Sequence, residues 1–357
     1  MEKLTVIVPT YNERDNVTPL VERLDSALSG YDYEILFIDD NSKDGTAELA
    51  SSLAANYPVQ VIVRKNERGL ASAVVHGFKN AGGGILAVMD ADLQHPPEVL
   101  RDMLMAVQPD IDLVIASRYV AGGSVEGWGT VRRLISKGAG FLARILLPKT
   151  RKVSDPMSGF FLLRKSVVEG TNLMPSGYKI LLEVLAVGQF QRVAEVPYGF
   201  RLREKGESKL GAREQIDYLR HLLSLMRRTG ELARFFKFCL VGASGVFVNE
   251  GLLWILKQFG GLPLALSSAI SIETSIISNY VLNNLFTFAD RRAPGDSFFR
   301  RLVKFNLVSL VGLGINLGTL LALTHFFKLH YLLANLVGIA IAMLWNYLAN
   351  REWTWAD

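Results

Sequence analysis

Residues 85–98 read ILAVMDADLQHPPE: an apolar run that delivers two carboxylates, Asp90 and Asp92, and then meets Pro96 and Pro97. A short continuous apolar run bounded by turn residues has the pattern of a strand buried on both faces. Two carboxylates ending such a strand repel and desolvate one another unless a cation compensates them. A hard divalent ion, held through oxygens and shared with substrate phosphates, answers that problem. Gln94 offers a further neutral oxygen. A bare acid-x-acid triplet is by default a surface turn or a helix cap. The buried run before it and LQHPPE after it favour the metal reading here.

The same design recurs upstream. LTVIVPTYNE (4–13) leads into a helix expected from about Asp15 to Ser29, and YEILFIDDNSKDGT (33–46) into one starting near Thr46. VQVIVRKNERGLASAVVHGFKNA (59–81) is a third strand and helix. Apolar strands alternating with amphipathic helices predict an α/β domain, a Rossmann-like mostly parallel sheet covered on both faces. Polar groups at the carboxyl ends of such strands face the ligand crevice. Three clusters fall there: Thr10 to Glu13, Asp39 to Asn41, and Asp90 to Gln94. Asp39 is still on its strand, and a residue so placed often points into a neighbouring helix. The five histidines show no ligand spacing and read as structural.

PTYNE, IDDNSKDGT, MDADLQHPPE, SRY, DPMSGFFLLRK and the later REKGESK (203–209) together resemble the family 2 glycosyltransferases with a GT-A fold. Within them the resemblance is to dolichyl-phosphate mannose synthases and their bacterial polyprenyl-phosphate relatives, over about residues 3–230. It implies that Pro9, Tyr11, Glu13 and Asp40 line the base and ribose pocket, and that Asp90, Ala91 and Asp92 serve the nucleotide-sugar. Asp90, Asp92 and Gln94 would hold Mg2+ or Mn2+ and the diphosphate. On the acceptor side it implies that Arg118, Arg132, Ser136, Arg203 and Lys205 grip a lipid phosphate. Asp92, Arg118 and Arg203 would bear most directly on catalysis. Arginine suits that task, because its planar fork makes paired, charge-assisted bonds to phosphate oxygens. Asp155 and Ser158 would shape the sugar and acceptor side, and a loop around Gly206 would close over the donor. A basic loop by itself is more often a solvated surface.

Residues 130–147 place Val131, Leu134, Ile135, Phe141, Leu142 and Ile145 on one broad helical face, with Arg132, Arg133, Lys137 and Arg144 around it. Such a helix reads as membrane-interfacial; the alternative is an ordinary helix packed on the sheet. A second such stretch, near 213–234, leads to the apolar part of the chain.

The whole chain is 50% hydrophobic and 20% charged, with a formal charge of +5, but the averages hide a division. Beyond residue 235 four apolar stretches, near 236–256, 264–286, 304–326 and 331–349, each approach the ~20 residues that cross a bilayer as a helix. Arg227, Arg228, Arg234 and Lys237 precede the first, Arg291, Arg292, Arg300, Arg301 and Lys304 separate the second from the third, and Arg351 follows the fourth. The other connections hold only Lys257 and Lys328. By the positive-inside rule both ends and the middle loop are cytoplasmic. Met1 runs almost at once into TVIVPT without a basic signal region, which predicts a cytosolic first domain.

The two hairpins repeat at an offset of 67 residues: Lys237-Phe238 as Lys304-Phe305, Gly245 as Gly312, Asn249 as Asn316, Gly251 as Gly318, and Asn279-Tyr280 as Asn346-Tyr347. Thr287, Ala289 and Asp290 recur as Thr354, Ala356 and Asp357, with Phe286 and Phe288 answered by Trp353 and Trp355. Each unit has two spans and enters from the same side, so the repeat is parallel about an axis along the membrane normal. This half resembles the four-span GtrA family, which is associated with polyprenyl-linked sugars. Its Asn and Gly residues read as helix-packing contacts. Glu250 and Glu273, lacking repeat partners, stay open as functional candidates.

The expectation is therefore an α/β GT-A catalytic domain (1–212), an interfacial linker (213–234) and an all-α transmembrane domain of four helices (235–357). Its activity would be inverting transfer of mannose from GDP-mannose to polyprenyl phosphate at the cytoplasmic face. Membrane lipids are expected partners, nucleic acid is not, and a homo-oligomer through the membrane domain is possible. UDP-glucose is the rival donor, and a lipid-linked sugar flippase or membrane scaffold the rival of another class. The missing QxxRW segment disfavours a processive synthase.

Overall fold

The computed structural model describes residues 2–174, 179–201, 212–291 and 297–356. Arg203, Lys205 and the loop around Gly206 lie outside the described residues, as do Arg292 and Asp357. The chain forms two compact units, Met1–Thr229 and Gly230–Asp357.

In the first unit β1 (Leu4–Thr10), β2 (Tyr33–Asp39), β3 (Val59–Val63), β4 (Ile85–Val88), β5 (Leu113–Ser117), β7 (Phe161–Arg164) and β8 (Val193–Pro197) make one sheet, ordered β3-β2-β1-β4-β7-β5-β8. All neighbours pair in parallel except β7, which runs antiparallel to β4 and β5. The sheet is therefore mostly parallel, with one reversed strand in its middle. A short parallel ladder joins β6 (Ser124–Val125) to β9 (Gly199–Phe200).

Six helices complete the sheet's layers: α1 (Arg14–Ala27), α2 (Thr46–Ser52), α3 (Leu70–Asn80), α4 (Val99–Met105), α5 (Thr130–Leu146) and α6 (Ile180–Val187), with α7 (Ala212–Arg228) closing the unit. Val6 and Val8 of β1 join a core with Leu20 and Leu24 of α1 and Leu100 and Met103 of α4. Ile7 points the other way, into a core with Val74 and Phe78 of α3 and Leu181 and Leu185 of α6. That alternation on a strand whose residues are all buried is why LTVIVPT reads as continuously apolar. Proline on a central strand needs its missing N–H to fall where no ladder bond is due. The Ile7 carbonyl accepts from Met89 and the Thr10 carbonyl from Asp40, so Pro9 faces the β4 side, where pairing has ended at Ile7–Val88.

The second unit holds α8 (Glu231–Gln258), α9 (Leu264–Leu282), α10 (Phe298–Phe326) and α11 (Tyr331–Ala349). Each hairpin ends in a π-helical turn, Asn283–Thr287 and Asn350–Thr354, related by the 67-residue offset. The aromatic core is itself three repeat pairs: Phe238 with Phe305, Tyr280 with Tyr347, and Phe288 with Trp355. Phe288 and Trp355 stack at 4.4 Å between the ring centroids, with Tyr280 stacked on Trp355 and Tyr347 on Phe288. A Cβ on Gly245 would overlap the amide of Asn279, and one on Gly312 that of Asn346, so both glycines let a neighbouring helix approach closely.

Three helices among the described residues are long and apolar enough to cross a membrane: Glu231–Gln258, Phe298–Phe326 and Tyr331–Thr354. The expected span at 264–286 forms its helix but falls short of that measure. Ser267, Ser268, Ser271, Glu273, Thr274, Ser275, Ser278 and Asn279 dilute it. Glu273 accepts a hydrogen bond from Asn306 of α10 at 2.7 Å, and Glu250 one from the adjacent Asn249 at 3.2 Å.

Candidate active site

The carboxyl ends of β1, β2 and β4 open into a cleft of about 190 Å³ lined by Pro9, Thr10, Tyr11, Glu13, Asp40, Leu70, Ala73, Asp90, Ala91 and Asp92. Every residue assigned to the nucleotide-sugar in the sequence thus meets in one cavity. The three loops that build it share a backbone device: Asn12, Asn41 and Leu93, each just past one of these strands, adopt positive φ of 56°, 56° and 60°. Asparagine enters that region readily, whereas a buried leucine does so at a cost. At Leu93 the chain turns sharply enough to bring Asp92 back against its own loop, where its carboxylate accepts from the Gln94 N–H at 3.1 Å.

Asp40 lines the cleft while anchoring it. Its Oδ1 accepts from the Arg64 guanidinium and its Oδ2 from the Gly69 N–H at 2.7 Å, all but closed to solvent. Gly69 supplies that N–H at φ 135°, a conformation that suits glycine. Asp39 does not line the cleft; it accepts from Thr10 at the end of β1 and from Ser42 in the following loop, rather than pointing into a helix. The Arg68 guanidinium lies 3.8 Å from the centre of the Tyr11 ring, and Glu13 accepts from Asn16 at 2.6 Å.

Two hard carboxylates, Asp90 and Asp92, suit a divalent cation. No group of three or more His, Cys, Asp or Glu side chains converges to hold one among the described residues. A cation here would therefore complete its shell with substrate and solvent oxygens. Gln94 is not among the residues that line the cleft, and its amide nitrogen donates to the Arg201 carbonyl at 3.0 Å. His95 is buried, its Nε2 3.3 Å from Asp90 and its ring packed against Phe160, Tyr198 and Phe200.

Next to β5 lies a cationic cluster. Buried Arg118 forks onto Asp155 through Nε and Nη2, at 2.7 and 2.8 Å, and donates its backbone N–H to the same carboxylate. Asp155 is held in turn by its N–H donating to Glu195 at 3.1 Å. The pairing outweighs burial and raises the Arg118 pKa above its ordinary value. Trp128 joins this arginine to Arg132, whose guanidinium sits 4.3 Å from the ring centre against 5.4 Å for Arg118. Burial, and then the charge of Arg118, pull the Arg132 pKa down. The Tyr119 hydroxyl bonds Ser136 at 2.9 Å, which brings Ser136 beside the same group. Ser158 is a strut, donating to the Ala116 carbonyl of β5 at 2.7 Å.

Sequence reading missed Lys179. Its ammonium donates to the Met157 carbonyl at 3.1 Å, and burial and the charge of Arg118 bring its pKa down to about 8. It also missed Arg64, although a charge closing the apolar run VQVIV at the same sheet edge as Asp40 was a usable signal.

A sheet of this order, with paired carboxylates at the mouth of a strand-end cleft, belongs to a glycosyltransferase: residues 5–171 match Glycosyl transferase family 2, and residues 237–355 match the GtrA/DPMS transmembrane domain. The chain is 49% identical to a dolichol-phosphate mannosyltransferase of Pyrococcus furiosus over 99% of both chains. It is 43% identical to one of Mycosarcoma maydis over 62% of this chain and 79% of that one, and 42% to one of Saccharomyces cerevisiae over 62% and 86%. The chain belongs to the dolichol-phosphate mannosyltransferase family, as an enzyme whose glycosyltransferase unit is joined to a membrane domain. A solved glucosyl-3-phosphoglycerate synthase of Mycobacterium tuberculosis aligns with 64% of this chain and 80% of its own at 18% identity and a TM-score of 0.49, too distant to bear on function.

Proposed function

We propose that the chain transfers mannose from GDP-mannose to a polyprenyl phosphate such as dolichyl phosphate, with inversion, at the cytoplasmic face of the membrane. The observation that carries this reading is the 49% identity to a dolichol-phosphate mannosyltransferase across 99% of both chains. The site's chemistry supports it. Pro9, Tyr11, Glu13 and Asp40 share one cleft with Asp90, Ala91 and Asp92; the first four would take the nucleoside and the last three its diphosphate.

Asp90 and Asp92, with Gln94 nearby, would hold Mg2+ or Mn2+. When bound, the ion neutralises charge on the nucleoside diphosphate as it departs. Arg118, Arg132 and Ser136 would receive the lipid phosphate, joined by Arg203 and Lys205 from beyond the described residues. A phosphate monoester with a second pKa near ~6 is largely dianionic at neutral pH and needs no general base. The arginines align it and screen its repulsion from the donor, so that attack runs in line with the anomeric carbon. Asp155, engaged with Arg118, would hold that guanidinium in place, and no general-base role is required of it.

Helix α5 fits an acceptor that stays in a bilayer. Val131 and Leu134 are 70% and 73% exposed, and Phe141 is exposed beside them. We assign this face, and the exposed Ile216, Leu219 and Leu223 of α7, to the membrane interface.

The test is transfer to a short-chain polyprenyl phosphate in detergent, with GDP-mannose against UDP-glucose and with or without Mg2+ or Mn2+. Metal-dependent product from GDP-mannose is expected. Product from UDP-glucose alone would replace the donor, and no transfer from a wider donor panel would overturn the enzyme reading for this acceptor.

A further inference from the structure

Both carboxylates of the cleft are met by the loop that follows them. Leu93, buried at a φ of 60°, turns the chain sharply after Asp92, and strain of this kind persists only where the surroundings over-determine it. The turn has two results. The Gln94 N–H reaches Asp92 Oδ1 at 3.1 Å, and the His95 ring comes back against Asp90, its Nε2 3.3 Å from Oδ2. Asp90 lines the cleft with its side chain 35% exposed, whereas that of His95 is 2% exposed and does not line it. The imidazole therefore meets the carboxylate from the protein interior.

The ring's other nitrogen decides which atom carries the hydrogen. Nδ1 is buried and has no hydrogen-bond partner. In the neutral ring, a hydrogen on Nδ1 would strand a buried donor and turn the Nε2 lone pair toward a carboxylate. A hydrogen on Nε2 is donated to Asp90 and leaves only one acceptor unfilled, so the hydrogen-bond network assigns this tautomer. Packing keeps the ring in place: Phe160, Tyr198 and Phe200 surround it at centroid distances of 5.4, 5.6 and 5.4 Å. Gly159 leaves room for the pair, since a Cβ there would lie 3.3 Å from both Asp90 Oδ2 and His95 Nε2.

We propose that His95 is a positioning residue for the cation site, its Nε2–H holding the Asp90 carboxylate in the orientation that faces the cleft. Hydrogen-bond partners behind a metal-binding carboxylate account for ~10–100-fold in metal affinity. A ring that only filled the aromatic core would be replaceable by phenylalanine without that loss. The proposal rests on the reading of Asp90 and Asp92 as the residues that hold a divalent ion.

The test is Mn2+ binding to the full chain in detergent, with GDP or UDP present, read from the loss of the free ion's electron paramagnetic resonance signal. His95→Phe keeps the ring packing and removes the N–H. Its Mn2+ dissociation constant should rise about tenfold or more while the thermal unfolding transition stays in place. His95→Gln, whose amide N–H can reach the same oxygen, should recover most of the affinity. Should His95→Phe not fold, Gly159→Ala stands in: its methyl presses on both atoms of the pair, and the same weakening is expected. Wild-type affinity in His95→Phe, or in Gly159→Ala where that variant takes its place, overturns the proposal. So does a His95→Gln chain that binds as weakly as His95→Phe. A wild-type chain that takes up no Mn2+ with either nucleotide overturns the metal reading as well, so the two failures are distinguishable.

Discussion

At the residue scale, the strongest expectation concerns Asp92. Its carboxylate lines the cleft and is buried, so Asp92→Ala should reduce metal-dependent turnover by at least about a hundredfold while the unfolding transition stays in place. Unchanged turnover at saturating Mg2+ would remove it from the metal site. Arg64 makes a different prediction, because it is paired with Asp40 in near-complete burial. Arg64→Ala strands a buried carboxylate, a loss on the order of 3 kcal/mol. Thermal unfolding should show it, with a higher KM for the donor than for the acceptor. Lys179 links the site to pH. Its pKa of about 8 falls near assay conditions, and a phosphate dianion beside it would favour the charged ammonium and raise that value. Acceptor binding near pH 8.5 should therefore take up a proton. Calorimetry in buffers of different ionisation enthalpy measures the uptake, and Lys179→Met should abolish it. The cleft carboxylates were legible because strand-end position follows from the hydrophobic pattern. Lys179 and Trp128 were not, since what matters in them is proximity to Arg118 and Arg132, which no local pattern encodes.

At the scale of elements, α7 is fastened to α6 by charge. Buried Glu183 accepts from Arg228 at 2.5 Å and the Met174 N–H at 2.7 Å, and its Oε2 lies 2.9 Å from His221 Nε2. Burial alone would raise its pKa, but the bonds from His221 and Arg228 outweigh that and hold it below the ordinary carboxylate value. A depressed carboxylate contributes stability that is present above its unfolded pKa, ~4.3, and lost as pH falls through the folded value. Docking of α7 should therefore weaken on acidification below about pH 4, read as rising amide exchange across 212–228. Glu183→Gln should show the weakened state already at neutral pH. The same scale shows what periodicity can and cannot tell. The α5 stripe was legible, with its apolar positions at helical spacing, and its largest members are exposed. Along α9 the serines and asparagines gave a helix of the expected place but of insufficient apolarity. Length located that segment; composition limits what length alone implies.

At the scale of the whole molecule the repeat predicts that the membrane unit crosses four times, although three of its helices are long and apolar enough by themselves. An odd number of crossings would put Gly230 and the chain's end on opposite sides. It would also give α9 an environment unlike that of α11, its repeat equivalent, although Gly245 packs against Asn279 as Gly312 packs against Asn346. The matched π-turns and the paired aromatic core argue the same way, because each half supplies rings from equivalent positions of the repeat. The offset of 67 residues was legible as sequence, whereas the closing stack of Phe288 on Trp355 was not, since only folding brings the two hairpin ends together. Helix–helix packing also explains how a segment as polar as α9 is carried: Tyr280 reaches the Phe298 carbonyl at 2.8 Å and Ser275 the Gly245 carbonyl at 2.7 Å. Four crossings, with the arginine-rich ends cytoplasmic, predict a definite labelling pattern. In a Cys239→Ser background, Lys257→Cys and Lys328→Cys should react with a membrane-impermeant thiol reagent from outside intact cells, and Ser297→Cys only after lysis. Reaction of Ser297→Cys from outside, with Lys328→Cys protected, would mean that α9 does not cross, and the repeat would then be a similarity of packing without a similarity of topology.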